Sequence, residues 1–318
     1  MKVPDHIAKA NGSTLISFEL LPPLKGKSIQ SIYDVLDPLM EFNPPFINVT
    51  YHRHEYIYKL QGDSSFRKVL VRKRPGTVGI CAAIMNRYKV DAVPHVICGG
   101  FTEDDTEDAL IELHFLGINN VLALRGDSLQ SESVFVPEKG GHKYATDLVG
   151  QIMNMNKGRF LAEDLKNPVP TDFSVGVAGY PEKHYEAPNI KTDIKYLKQK
   201  IELGAEYIVT QMFFDNQRYF DFVKLCRSEG INVPIIPGLK PISTQKHLSI
   251  IPSIFKVDLP EDLVDAVEGA SSKEAIREIG AEWCIQQAKE LKAAGVPILH
   301  FYTMGRVSTF VKIASEVA

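Results

Sequence analysis

Glu19 stands in the stretch TLISFELLPP, residues 14–23, at a position where the apolar pattern calls for another Val or Ile. A carboxyl group desolvated by apolar neighbours is raised in pKa, so it can hold a proton and deliver it to a substrate. The alternative is a carboxylate paired with a basic side chain at a rim. The situation recurs along the chain, where apolar runs end in polar side chains. These are Thr50 and Tyr51, His95, Arg125 and Asp127, Tyr180 and His184, Gln211, Lys240, and Tyr302 with Thr303.

Several chemistries lack their signature. There is no Gly-x-Gly-x-x-Gly, so a dinucleotide on a Rossmann turn is unsupported. KGKS at 25–28 resembles the tail of a phosphate loop, but Leu21 occupies the place of the first glycine. His52 and His54 resemble a His-x-His metal pair, and with His95 they would suit a metal-dependent hydrolase. No Asp follows the last apolar run to complete such a site, and no metal is expected. The cysteines 81, 98, 226 and 284 lie far apart, which suggests neither zinc nor a disulfide framework and fits a reducing cytoplasm. His6, His114 and His142 read as exposed or helix-packed, and Met153, Met155 and Met212 as core or loop filler.

The elements that must position the strand-end residues can be counted. Strands are expected over 14–20, 46–51, 90–98, 120–127, 173–181, 207–214, 234–239 and 298–304, with helix-period segments between them. In 102–117, Thr102 supplies the N-cap, acids fill the first turn and Gly117 closes the helix. In 189–205, Ile190, Ile194, Leu197 and Ile201 recur at helical spacing before Gly204. Eight β-then-α units imply an α/β fold, a (β/α)₈ TIM barrel forming a single domain over residues 1–318, with its chemistry at the C-terminal ends of the strands. Residues 128–144 and 158–172 read as loop elaborations. Of the 318 residues 44% are hydrophobic and 24% charged, enough for a large core, and the net charge of −3 leaves no footprint for nucleic acid. The basic run 67–74, RKVLVRKR, reads as the solvated end of a helix. No run reaches the roughly 18 apolar residues of a spanning helix, so neither membrane anchoring nor export is expected.

SFELLPP, VTYHRHE, PHVIC, ALRGD, GYPEKH, TQMFFD, IIPGLKPIS and HFYTMGR stand in an order and spacing that resemble the methylenetetrahydrofolate reductase family, over about residues 13–310. The resemblance implies a barrel that binds FAD without a Rossmann domain. It implies hydride transfer from NADH or NADPH and reduction of 5,10-methylenetetrahydrofolate to 5-methyltetrahydrofolate by ping-pong kinetics, in one-carbon and methionine metabolism. By position, Glu19 resembles the general acid that protonates N10 of the folate. Asp127 resembles the carboxylate beside the flavin and pterin, or else caps the next helix. Gln211 and Arg306 resemble substrate contacts. The positions matching FAD and nicotinamide contacts are Thr50, Tyr51, His95, Arg125, Gly126, Asp127, Ala145, Tyr180, His184, Asp193 and Lys200. Arg125 and Lys200 suit a pyrophosphate, and Asp193 suits ribose hydroxyls.

Departures from the family pattern fall at Arg53, Tyr196 and His247, the last standing near the place of a folate-binding glutamine, with Gln245 two residues earlier. The resemblance further implies a cytoplasmic homo-oligomer. With residues 306–318 as the eighth helix, no appended regulatory domain and no response to S-adenosylmethionine are expected. The donor preference between NADH and NADPH has no sequence signal. A flavin- or folate-binding protein that docks on a partner without catalysis is the alternative from another class.

Overall fold

The computed structural model describes residues 1–129, 132, 134–304 and 307–318. Its strands are β1 (Leu15–Leu20), β2 (Phe46–Val49), β3 (Glu55–Leu60), β4 (Phe66–Val71), β5 (Asp91–Ile97), β6 (Asn120–Leu124), β7 (Ser174–Gly179), β8 (Tyr207–Thr210), β9 (Ile235–Ile236), β10 (Gly238–Leu239) and β11 (Ile298–Tyr302). Its helices are α1 (Val3–Lys9), α2 (Gln30–Leu39), α3 (Thr77–Tyr88), α4 (Glu103–Phe115), α5 (Ala145–Met155), α6 (Ile190–Leu203), α7 (Asn216–Ser228), α8 (His247–Phe255), α9 (Glu261–Glu268), α10 (Lys273–Ala293) and α11 (Val307–Val317).

The main sheet runs β10-β11-β1-β2-β5-β6-β7-β8-β9, and every pairing in it is parallel. β9 and β10 are two pieces of one stave. Pro237 separates them because it has no N–H to give a ladder, while its carbonyl still accepts from His300 N at 3.1 Å. One piece pairs with β8 and the other with β11, so this stave closes the barrel and the expected eight positions are present.

Strand alternation sorts the side chains. Ile16, Phe18, Ile47, Val49, Leu299 and Phe301 face the helical layer. Phe46, Val93, Leu122, Tyr207, Val209, Ile236 and Ile298 fill the interior, with Val3 of α1 packed among them. Tyr207 fits only because its neighbour in register is Gly176, where a Cβ would lie 2.3 Å from the ring. α1 is tied down by Val3 N to Asn120 Oδ1 (2.9 Å) and by the terminal amine to Asp91 (2.8 Å). Above this apolar plug the inward positions turn polar, and that change sets the site.

The helices at 102–117 and 189–205 form as expected. Thr102 Oγ1 accepts from Asp105 N and the Asn189 side chain from Thr192 N, and Gly117 and Gly204 take positive φ. The basic run 67–74 is corrected: it is not the end of a helix. Phe66–Val71 pairs antiparallel with Glu55–Leu60 in a separate two-stranded sheet, and the helix begins only at Thr77. Both stretches are rich in β-formers, Tyr56, Ile57 and Tyr58 in one and Val69, Leu70 and Val71 in the other, a signal that the density of Lys and Arg obscured. No helix among the described residues is long and apolar enough to cross a membrane.

Helix α10 offers a test of packing against propensity. A Cβ on Gly280 would lie 1.8 Å from the backbone oxygen of Ile242. Alanine gains about 1 kcal/mol over glycine in a helix interior, whereas overpacking costs about 1–3 kcal/mol, and the obstacle here is backbone. Gly280→Ala is therefore expected to lower Tm in thermal unfolding; a raised Tm would show that α10 does not approach Ile242 this closely.

Candidate active site

Six of the positions assigned to a cofactor line one cavity of about 440 Å³ at the C-terminal ends of β6 and β7, between α5 and α6: Arg125, Ala145, Tyr180, His184, Asp193 and Lys200. The Asn189 cap fixes where α6 starts, so Asp193, Tyr196 and Lys200 follow at i, i+3 and i+7 on one face. Asp193 Oδ2 accepts from His184 N at 2.8 Å, which anchors the loop after β7 to that helix. Lys200 is half-buried, with Nζ donating to Ala178 O at 3.0 Å; loss of hydration depresses it to about 8, and Asp193 opposes the shift. Burial, then the charge of Arg125, brings His184 down to about 4, so at neutral pH it is an uncharged ring beside two cations. Arg125 is oriented by Glu186 and lies 4.9 Å over the Phe135 ring.

The second group lies inside the barrel mouth. Glu19 is buried, with Oε2 3.3 Å from His95 Nε2 and 4.0 Å from His300 Nε2. The facing atoms come from β1, β5 and β11, and Ser17 Oγ, hydrogen-bonded to His300 Nδ1 at 2.8 Å, sets that ring. Burial alone would raise the carboxyl, as the sequence suggests. His300 and His95 outweigh it and hold Glu19 at about 2. The expectation of a raised pKa is therefore corrected in direction: the free protein carries a carboxylate here. At these separations neither imidazole makes a well-formed hydrogen bond to it, so the attraction is one of charge and dipole across a short gap in a medium of low dielectric.

Lys240 is buried near this carboxylate, with Nζ 3.3 Å from Met304 O; burial depresses it to about 8, and Glu19 opposes the shift. Burial, then the charge on Glu19, pushes the Tyr302 hydroxyl well above its ordinary range. Thr303 Oγ1 donates to Glu19 O at 2.5 Å and locks the backbone under the carboxylate.

The remaining assigned positions surround these two groups. Tyr51 accepts from Arg72 at 2.5 Å and packs edge-on against Phe101, outside the cavity. Thr50 has a buried hydroxyl without a partner among the described residues. Gly126 takes φ +82° beside Ile97, and Asp127 is exposed at the mouth, where its charge acts on His52. Gln211 follows β8, its Oε1 accepting from Met212 N and its side-chain NH₂ left as a donor. Arg306 lies outside the described residues. His52, His54 and His95 do not converge: among the described residues no three His, Cys, Asp or Glu side chains are grouped to hold a metal.

Sequence reasoning missed several residues that the fold brings in. His300 shares the inward face with Tyr302 two residues on, a signal available in ILHFYTM. Tyr144 and Glu186 line the cavity next to positions already assigned, and Tyr196, noted only as a departure, forms part of its α6 wall. His247, another of the departures, is near Lys240, whose charge, after burial, depresses its pKa.

The sequence profile of the methylenetetrahydrofolate reductase family matches residues 2–318. The 5,10-methylenetetrahydrofolate reductase of Salmonella typhimurium is 31% identical over 303 residues, covering 94% of this chain and 89% of that protein. Methylenetetrahydrofolate reductase (NADH) 1 of Arabidopsis thaliana is 31% identical over 316 residues, covering 96% of this chain and 48% of that protein, so the chain spans about half the length of the plant relative. Among solved structures, an uncharacterized protein from Clostridium thermocellum, described as binding two copies of 5-methyl-5,6,7,8-tetrahydrofolic acid, shares the fold with a TM-score of 0.55 at 14% identity, over 99% of this chain and 98% of that one. With the profile running over almost every residue and bacterial relatives matched along most of their length, the chain belongs to the methylenetetrahydrofolate reductase family.

Proposed function

We propose that this protein reduces 5,10-methylenetetrahydrofolate to 5-methyltetrahydrofolate with electrons from NADH or NADPH carried by FAD. The observation that carries the reading is the meeting of a cation-bearing, aromatic-lined cavity with a buried carboxylate between two imidazoles. The donor set fits a flavin dinucleotide: Arg125 and Lys200 match its pyrophosphate, Asp193 its ribose hydroxyls, and Tyr144, Tyr180 and Tyr196 its flat rings. Bound there, FAD supplies two-electron transfer between the nicotinamide and the one-carbon unit of the folate. The names of the bacterial and plant relatives support the same reaction.

The chain's own residues supply acid–base chemistry and positioning. Opening the folate ring requires a proton on N10, and Glu19 is the buried carboxyl at the mouth. Because it is ionised in the free protein, the proton belongs to Glu19 and its imidazoles as a unit, and it moves onto the carboxyl when a bound pterin closes the mouth to bulk solvent. Asp127 sets a negative charge where the cationic iminium forms, Gln211 donates to the pterin, and Arg306 adds a substrate contact. Thr50 and Tyr180 match positions that face nicotinamide and folate in turn, and one shared face makes the kinetics ping-pong.

Two measurements test this. Glu19→Gln is expected to keep its flavin and to be reduced by NADH or NADPH at nearly the normal rate. Its reoxidation by methylenetetrahydrofolate should slow by at least about 10²-fold, about 3 kcal/mol of transition-state stabilisation. Equal losses in both halves in stopped flow would remove the acid role. The second concerns Lys200, which is cationic below about 8 and neutral above it. Binding an anion favours the protonated form, so FAD affinity should be level below that pH and decline as pH rises through it. A fluorescence titration that shows no decline, or the same decline in Lys200→Met, would place the pyrophosphate elsewhere.

A further inference from the structure

Asn48 is fully buried, and neither its amide nitrogen nor its amide oxygen meets a hydrogen-bond partner among the described residues. Its direction follows from β2. Phe46 belongs to the interior cluster while Ile47 and Val49 face the helices, so Asn48 follows Phe46 inward. The strand registers set it beside Glu19 on one side and beside Val93 on the other, one inward position below His95. The Nε2 atoms of His95 and His300 also lack hydrogen-bond partners. Three polar side chains around one carboxylate thus present donors and acceptors that no protein group satisfies.

Buried polar groups in folded proteins are nearly always hydrogen-bonded, to protein or to ordered water. A polar chamber with two or more such groups holds water; an apolar one stays dry. A primary amide both donates and accepts, so it can orient a water toward imidazole nitrogens whichever of them carries the hydrogen. The other titratable groups facing this chamber are Glu19, Lys240 and Tyr302, with His52 and Asp127 at the mouth.

We propose that Asn48 anchors an internal water bridging it to His95 and His300, and that proton transfer onto Glu19 in the folate complex runs through this water. In that step an imidazolium gives its Nε2 proton to the water while the water gives one to the carboxylate. The water is unchanged, the imidazole is neutral and Glu19 is the acid that N10 then deprotonates. Solvent restores the imidazolium when product leaves the mouth. Asn48 is thus a positioning residue, and this role rests on the proposed folate reduction.

Asn48→Leu, close in volume but unable to hold water, separates the possibilities. The variant should bind FAD and be reduced by NADH or NADPH as the parent is. Its folate half-reaction should fall roughly tenfold or more, a part of the roughly 10²- to 10⁴-fold that a general acid supplies, and the pH profile of that half-reaction should shift. Asn48→Ser, which leaves room and polarity for water, should recover most of the rate. Thermal unfolding provides a readout that does not depend on folate. If the amide truly had no partner, leucine would raise Tm; if it holds a water, leucine lowers it. A raised Tm, or a folate rate and pH profile equal to the parent's, overturns the proposal. If leucine prevents folding, Asn48→Ala is judged by the same criteria. A parent protein that binds FAD but never passes electrons to the folate would instead overturn the proposed function, and the Tm comparison would still decide whether Asn48 holds water.

Discussion

The position of Glu19 between His95 and His300 is the constraint on which the rest of the site depends. A carboxyl group buried at the top of an apolar plug loses its hydration, and an unpaired charge there would be neutralised by taking up a proton. Two imidazoles facing one oxygen reverse that outcome. The arrangement needs β1 to lie between β2 and β11, and it needs β5 close enough across the interior to bring His95 within 3.3 Å. Closure of the barrel supplies both, which is why the split stave at Pro237 matters chemically as well as structurally.

Below the carboxylate, Tyr207 against Gly176 and the α1 residue Val3 fill the barrel, so the polar layer rests on packed side chains rather than on a channel. Beside it, Tyr180 lines the cavity that collects Arg125 and Lys200. The two regions carry opposite electrostatic tasks. One stabilises a negative charge in place and manages a single proton. The other holds cations partly out of water, where an anionic ligand gains more than it would at the surface.

Much of this was legible in the sequence. Eight β-then-α units implied the barrel, helical spacing of Ile190, Ile194, Leu197 and Ile201 marked the helix, and the family resemblance singled out Asp193 and Lys200 on it. What was not legible follows from range. Glu19 looked like a carboxyl raised by burial because the residue that reverses the shift, His300, lies at the far end of the chain and meets it only through β1–β11 pairing. Asn48 sits in FINVTY, which reads as one apolar strand, and its burial without partners is a property of the closed barrel. The hairpin of β3 and β4 was obscured by its own Lys and Arg residues, whose charge suggested a solvated helix end although Tyr56, Ile57, Tyr58, Val69, Leu70 and Val71 are β-formers.

The ionisation of Glu19 can be measured directly by infrared difference spectroscopy between the parent protein and Glu19→Gln, followed against pH in the absence of folate. The account predicts that no protonated-carboxyl stretch is lost on substitution at neutral pH, and that such a band appears only as the pH falls toward about 2. A protonated-carboxyl band assigned to Glu19 at neutral pH would contradict it, because the imidazoles would then not hold the charge on which the proton path is built.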